Sequence, residues 1–366
     1  MKAKAFWQAS QSCYAQWFWT GSYRAGRERI NWKAPQESTP STRRTMMKLL
    51  KTLPIVAALS AGTMAPAAED KVVIGQPNWG YAKVIANVLK IIAEDNFGIE
   101  VEMVPGNHAV FFKAMDQGAG EVDIHPDLWL PNNQGLVNEY VNDRGTVALT
   151  SPTFPAQDGF CTTKHAMDTY DLKSVYDLTR PEIVELTDRD GDGKGEIWMG
   201  APGWKSTKIH QIRARDYGFS DLYEATSSEE TVILSQIDSD AKAGNVVVWG
   251  CYTPHHIFGM HELVVLEEPA HDPAKWSIAD LENDANWLEN SMAGTSFPAT
   301  TSQIAYSKRL ETAAPNMVDL LNGIDFGAQL INDWSFAVGV DERDPAKYAR
   351  EWVKANPDVV ASWLGQ

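Results

Sequence analysis

The stretch KVVIGQPNWGYAKVIANVLKII, residues 71–92, joins a short apolar run to a helical pattern through an aromatic turn. Val72, Val73 and Ile74 are consecutive and apolar, so a short buried strand is expected over Lys71–Gly75. From Tyr81 the period changes. Ile85, Val88, Leu89 and Ile92 recur at three- and four-residue steps and mark one face of a helix over Tyr81–Ile92. Trp79 stands in the turn between the two.

The same unit repeats downstream. Ile99–Val104 alternates as a second strand, Phe111, Phe112 and Met115 mark a second helix, and Glu121–His125 reads as a third strand. Further along, Glu196–Met199 and Val246–Trp249 are short apolar runs of the same kind. Short strands alternating with longer helical patterns predict α/β layering, in which ligands bind beyond the carboxyl ends of the strands. Four aromatics are expected there: Trp79 after the first strand, Trp129 in HPDLWLP after the third, Trp204 in GAPGW and Tyr252 in GCYTPHH. Each alone reads more readily as core, because large aromatics dominate cores. Together, two from each half, they predict a box of ring faces, which attracts a cation whose charge is covered by methyl groups. Trp198, Trp276, Trp287, Trp334, Trp352 and Trp363 fall within element patterns and are assigned to packing.

Just ahead of Trp204 runs the acidic sequence LTDRDGDGKGE, residues 186–196. Asp188, Asp190 and Asp192 alternate before Gly193, as in the first half of an EF-hand calcium loop, with the Lys194 carbonyl and Glu196 at the next liganding positions. The position that needs a bidentate Glu is Met199, so the match is partial. The alternative is an acidic hairpin turn, since Asp-Gly is also a strong hairpin signal.

Upstream, residues 1–45 carry scattered Trp and Arg without a period and are expected to be an extension ahead of the true start. MKLLKTLPIVAALSAGTMAPAA then supplies Lys48 and Lys51, an apolar Leu53–Leu59 and a small-residue cleavage site, so residues 46–68 are expected to be a signal peptide and the protein to be periplasmic. The formal net charge is −16, and the first 68 residues are basic, so the exported part is more acidic still. Such a surface argues against nucleic acid and anionic membranes as partners. In an oxidising compartment Cys161 and Cys251 could pair, although sequence alone does not give their separation.

From about Lys71 to the C-terminus the chain resembles the substrate-binding proteins of glycine betaine and choline ABC transporters. The resemblance rests on NWGYAKVIANVLK, GEVDIHPDLWLPN, GAPGWKSTKIHQIRARDYGF, SSEETVILSQI and VVVWGCYTPHHIF. It implies a monomeric, two-lobed α/β binding protein of the type II kind, with a hinge, one small solute in the inter-lobe cleft and a membrane permease as partner. Carried over by position, Trp79, Trp129 and Trp204 match cage residues. The family's Trp-x-Pro-His pattern places Tyr252 at the fourth wall, with Trp249 three residues earlier as the alternative. Lobe one is expected over 69–152 and 264–366, and lobe two over 153–263, with TSPTFPAQDGF and VVLEEP as hinge strands and the segment from Trp276 onward as helices covering lobe one. The acidic loop stands outside the family pattern.

The polar end of the ligand is less legible. A carboxylate would take backbone N–H donors or an Arg, while a hydroxyl or N-oxide would take a polar partner, for which Glu224, Glu229 and Glu230 are candidates. Glycine betaine, trimethylamine N-oxide, choline and dimethylsulfoniopropionate all stay open, with the trimethylamine N-oxide-binding branch as one option. The rival class is an exported metal-dependent hydrolase built on His255, His256, His261 and Glu262, but their spacing matches no zinc-protease motif. A calcium-stabilised structural domain is a third reading, which leaves the four aromatics idle.

Overall fold

In the computed structural model residues 71–366 are described; the extension expected over 1–45 and the signal peptide expected over 46–68 lie outside them. The first half of the fold is built on strands β1 (Lys71–Gln76), β2 (Glu100–Pro105), β3 (Ile124–Leu130) and β4 (Val147–Leu149). The second half is built on β5 (Phe154–Thr163), β6 (Gly195–Trp198), β7 (Tyr223–Thr226), β8 (Trp249–Thr253) and β9 (Leu263–Val265). A small ribbon of β10 (Trp276–Ser277) and β11 (Met292–Ala293) follows, and β12 (Thr300–Ser307) returns to the first half. The helices that matter for the site are α1 (Gly80–Phe97), α2 (His108–Gln117), α3 (Lys205–Asp216), α4 (Glu230–Ala243), α5 (Gly327–Gly339) and α6 (Pro345–Ala355).

The strands follow the order β2-β1-β3-β12-β5-β8-β6-β7. β1 runs parallel to β2 and β3, and β6 runs parallel to β7 and β8, so each half contains the parallel unit that the alternating sequence predicts. β5 joins them. Its first residues, Phe154–Ala156, pair with Ser302–Thr300, and its next five, Gln157–Cys161, pair with β8. One strand therefore crosses between the halves, where the hinge was expected. Cys161 and Cys251, on neighbouring β5 and β8, form a disulfide with a Cα–Cα distance of 5.7 Å.

Two separate apolar centres make the fold two-lobed. In the first, Val72 and Ile74 of β1 meet Ile85, Leu89 and Ile92 of α1, which is covered on its far side by α5 and α6. α1 is buried on most of its circumference for that reason. Trp334, Trp352 and Trp363 close this core, with Trp352 and Trp363 stacked at 5.6 Å, as their assignment to packing predicts. In the second lobe Phe160, Ile197 and Phe219 form one cluster and Trp198, Trp249 and Ile237 another.

Three expectations shift. The third strand begins at Ile124 instead of Glu121 and runs through Trp129, because the polar residues of HPD find partners inside the sheet. The β8 strand begins at Trp249 and contains Tyr252. The segment between β9 and β12, expected to return to lobe one from residue 264, instead rides on α3. Ile209 and Ile212 pack against Leu281, Ala293 and Phe297, and Arg215 and Asp216 bind the backbone of Ser291 and Ala293 at 2.7 and 2.6 Å.

Candidate ligand-binding site

The two halves place their aromatics by the same rule. Trp79 follows β1 as the N-cap residue of α1, and Trp204 follows β6 as the N-cap residue of α3; both have extended backbones and neither helix start is capped by a side chain. Trp129 and Tyr252 each occupy the penultimate position of a strand, β3 and β8. The four rings meet around one cavity. Trp79 faces Trp204 at 6.1 Å, Trp204 faces Tyr252 at 5.8 Å, and Tyr252 faces Trp129 at 5.2 Å, with interplanar angles of 85°, 73° and 80°. Successive rings at near right angles form the walls of a box and present π-faces to its interior.

Asp127 holds one side of the box. Its Oδ2 accepts from Trp79 Nε1 at 2.7 Å and from Trp129 Nε1 at 3.3 Å, and its Oδ1 accepts from Ser302. Burial raises the Asp127 carboxyl, while donors from Ser302, Trp79, Tyr81 and Trp129 act in the opposite sense. Tyr81 Oη also accepts from Trp129 Nε1, at 3.0 Å. A carboxylate bound to indole N–H groups fixes two rings in orientation and adds negative potential behind them, which favours a cation in front. Asp127 was missed in the sequence. Its signal is the period of two in HPDLW, which sets His125, Asp127 and Trp129 on one face of a strand.

Glu230, at the start of α4, holds the opposite side. The Tyr252 hydroxyl donates to Glu230, and His255 Nε2 lies 3.5 Å from the same carboxylate. Burial alone would raise this carboxyl, but the His255 and Tyr252 interactions bring it below the ordinary value. Glu230, considered for the ligand's polar end, thus supports a wall. Glu229 is exposed and accepts from Asn78 Nδ2 at 3.1 Å across the mouth between the halves.

Two expected ligand residues lie elsewhere. Trp249 is 3% exposed and buried with Trp198, Ile233 and Ile237 in the second lobe. The alternation of β8 turns Trp249 and Cys251 to the face opposite Tyr252, so Tyr252 is the residue that lines the cavity. Glu224 is exposed on β7, directly paired in register with Glu196, and belongs with the acidic loop. That loop precedes β6, whereas Trp204 follows it. Carboxylate oxygens of Asp188, Asp190 and Glu196 lie within 4.8 Å of one another, as do those of Asp190, Asp192 and Glu224. Gly191 and Gly193, at φ 80° and 91°, allow their N–H groups to donate back to Asp188. Lys194 adds its N–H to Asp192 at 2.8 Å.

The histidines of the hydrolase reading do not converge. His255 faces Glu230, His256 Nδ1 meets Ser335 Oγ at 2.7 Å, and His261 Nε2 meets Asp238 at 3.0 Å. Instead the cavity is completed by Tyr81, His108, Asn132, Asn133, Asp158, Lys205 and Ser206, none of which had been singled out. His108 carries no local signal, because its role depends on His125, which lies on a different element.

Residues 70–355 match the family described as the substrate binding domain of ABC-type glycine betaine transport systems. The glycine betaine-binding periplasmic protein of Dickeya dadantii (strain 3937) is 23% identical over 221 residues, covering 57% of this chain and 64% of that protein. The glycine betaine/proline betaine-binding periplasmic protein of Escherichia coli (strain K12) is 23% identical over 220 residues, covering 58% and 64%. The matched region therefore spans 64% of the length of these relatives. Among solved structures, an ABC-transporter choline binding protein in complex with choline superposes with a TM-score of 0.62 at 20% identity, over 81% of this chain and 92% of that one. Lactococcal OpuAC in its closed-liganded conformation with glycine betaine gives 0.60 at 19%, over 80% and 99%. At these identities the likeness to the two structures is one of fold.

Proposed function

The chain belongs to the family of substrate-binding domains of ABC-type glycine betaine transport systems, and from that premise we propose that it captures a small methylated ammonium solute in the Trp79–Trp129–Trp204–Tyr252 box and delivers it to a membrane permease. The family is one of solute carriers, not of enzymes. The reading rests on one observation, the series of four rings from Trp79 through Trp204 and Tyr252 to Trp129, each near-perpendicular to the next, with Asp127 bound to the indoles at its two ends. A quaternary ammonium has no N–H groups to satisfy, so aromatic faces can replace its water, each desolvated contact contributing up to about 2 kcal/mol. Four such contacts total at most about 8 kcal/mol, the scale of micromolar binding, before overlap and lost freedom are subtracted, so contacts to the rest of the solute must supply the difference.

Glycine betaine, trimethylamine N-oxide, choline and dimethylsulfoniopropionate share this head-group chemistry. A periplasmic location accords with the names of the relatives, and the carrier is proposed to act as a monomer. Calorimetric titration with the four solutes tests the proposal. Micromolar binding of one supports it, and silence from all four would reduce the aromatics to core. For the acidic loop we propose a structural calcium held by Asp188, Asp190, Asp192 and Glu196, with Glu224 adjoining; the two overlapping triads of carboxylates suit a hard cation that prefers oxygen ligands.

A further inference from the structure

A box of aromatic faces selects a methylated cation without distinguishing what else the ligand carries. That distinction needs a polar group of fixed sense inside the cavity. His108, at the start of α2, lines the cavity with its ring 5.5 Å from that of Trp79. Its Nδ1 lies 2.7 Å from Nε2 of His125, and His125 Nδ1 lies 3.3 Å from the backbone N of Asp127.

These contacts determine where the protons are. A backbone N–H can only donate, so His125 Nδ1 is an acceptor. Both imidazoles are neutral, because burial holds His108 at about 3 and His125 well below its ordinary value. A neutral ring that accepts at Nδ1 carries its proton on Nε2, so His125 donates to His108 Nδ1. His108 accepts there and must carry its own proton on Nε2. That atom has no hydrogen-bond partner among the described residues, although the side chain is only 7% exposed. Because His108 lines the cavity, a ligand acceptor placed there can take the hydrogen bond that this donor does not make within the protein.

A second feature points to the same end of the cavity. α3 begins at Lys205 and Ser206, both of which line the cavity, and its first turn has no side-chain cap. Lys205 lies close enough to His108 to help hold that ring unprotonated. Lys205 Nζ is itself paired with Glu282, so it adds positive potential only, and the open helix N–H groups and the fixed imidazole N–H make the place for an oxygen that bears negative charge.

We propose that His108 Nε2–H reads an anionic oxygen, a carboxylate or an N-oxide, on the methylated ligand, and that His125 is the positioning residue that sets its tautomer. The inference rests on the cage reading and extends it from the cationic head to the oxygen. Losing one hydrogen bond to a charged group weakens binding by about ten- to a hundredfold.

The test titrates the wild-type protein and His108→Phe with glycine betaine, trimethylamine N-oxide and tetramethylammonium, which has the head and no oxygen. The expected result is a loss of about tenfold or more for whichever oxygen-bearing solute the wild type binds, the two separating carboxylate from N-oxide, and a change below about threefold for tetramethylammonium. Equal loss of all probes, or no loss, overturns the role of His108 and leaves the cage intact. Failure of the wild type to bind any of them overturns the cage and this proposal with it. Should His108→Phe not fold, long-range proton–nitrogen spectra of the wild-type protein decide. A proton on His108 Nε2 that shifts when ligand binds is expected; a proton on Nδ1, or no shift on binding, overturns the assignment.

Discussion

Trp79 and Trp204 meet edge to face, 6.1 Å between ring centroids and 85° between planes, each at the N-cap of the helix that follows a parallel strand in its own lobe. Neither lobe alone makes this corner of the box, so under the proposed reading a bound cation would draw the two together and closure and binding would be one equilibrium. Trp204→Ala removes a wall without touching the Asp127 support of the other two indoles. It should weaken binding by about 1 to 2 kcal/mol, roughly five- to thirtyfold in Kd, read by calorimetry. An affinity unchanged within about twofold would show that Trp204 is not a wall.

Tyr252 depends on Glu230 for its orientation. The hydroxyl donates to a carboxylate that also faces His255, a charge-assisted contact inside the protein. Glu230→Ala should therefore weaken ligand binding by about 1 to 3 kcal/mol, although Glu230 is not among the residues lining the cage cavity. In a Tyr252→Phe background the same change should cost far less, because the shared hydrogen bond is already gone. Additive losses in the double-mutant cycle would mean that the two residues act independently.

Asp158 gives the folded state a pH dependence of definite sign. It lies on β5 opposite Tyr252 and accepts from Asn132 Nδ2 at 3.2 Å. Burial pushes its carboxyl up to about 7 from 3.8, against the opposing effects of Asn132 and Arg213. Between those values the folded chain keeps a proton that the unfolded chain gives up. The contribution is therefore fully present below about pH 4 and is lost as the pH rises through about 7. Asp158→Asn removes this slope, so melting temperatures of the variant should gain on the wild type across that window and then run parallel to it. Curves that are parallel throughout would mean that Asp158 is ionised in the fold at all these pH values.

Much of this was legible because short-range periodicity carries it. β1, α1 and β2 fall within a few residues of their expected places, and Trp79 and Trp204 stand where a strand gives way to a helix. What failed depended on partners distant in sequence. Trp249 and Tyr252 differ only in which face of β8 they occupy, and that register is set by β5, some ninety residues earlier. Glu224 looked free to meet a ligand until its pairing with Glu196 placed it beside the acidic loop. Asp127, His108 and His125 look like ordinary polar residues of a loop and a helix start, and only the packing of α2 on β3 joins them.

The acidic loop and the cage lie at opposite ends of β6, which lets one be changed without the other. In the loop, Asp190 belongs to both groups of converging carboxylates, one with Asp188 and Glu196 and one with Asp192 and Glu224. Without a cation these acids repel one another in a turn held by N–H donors to Asp188, Asp190 and Asp192. A calcium ion would bind the folded turn and not the open chain, stabilising the fold by about 2.7 kcal/mol at a hundred times its Kd. Chelation of the wild-type protein should therefore lower its melting temperature relative to excess calcium. Asp190→Asn should abolish that difference while leaving the calorimetric affinity for the methylated solute unchanged. Melting curves that coincide in chelator and in calcium would remove the metal and leave the loop as an acidic hairpin turn.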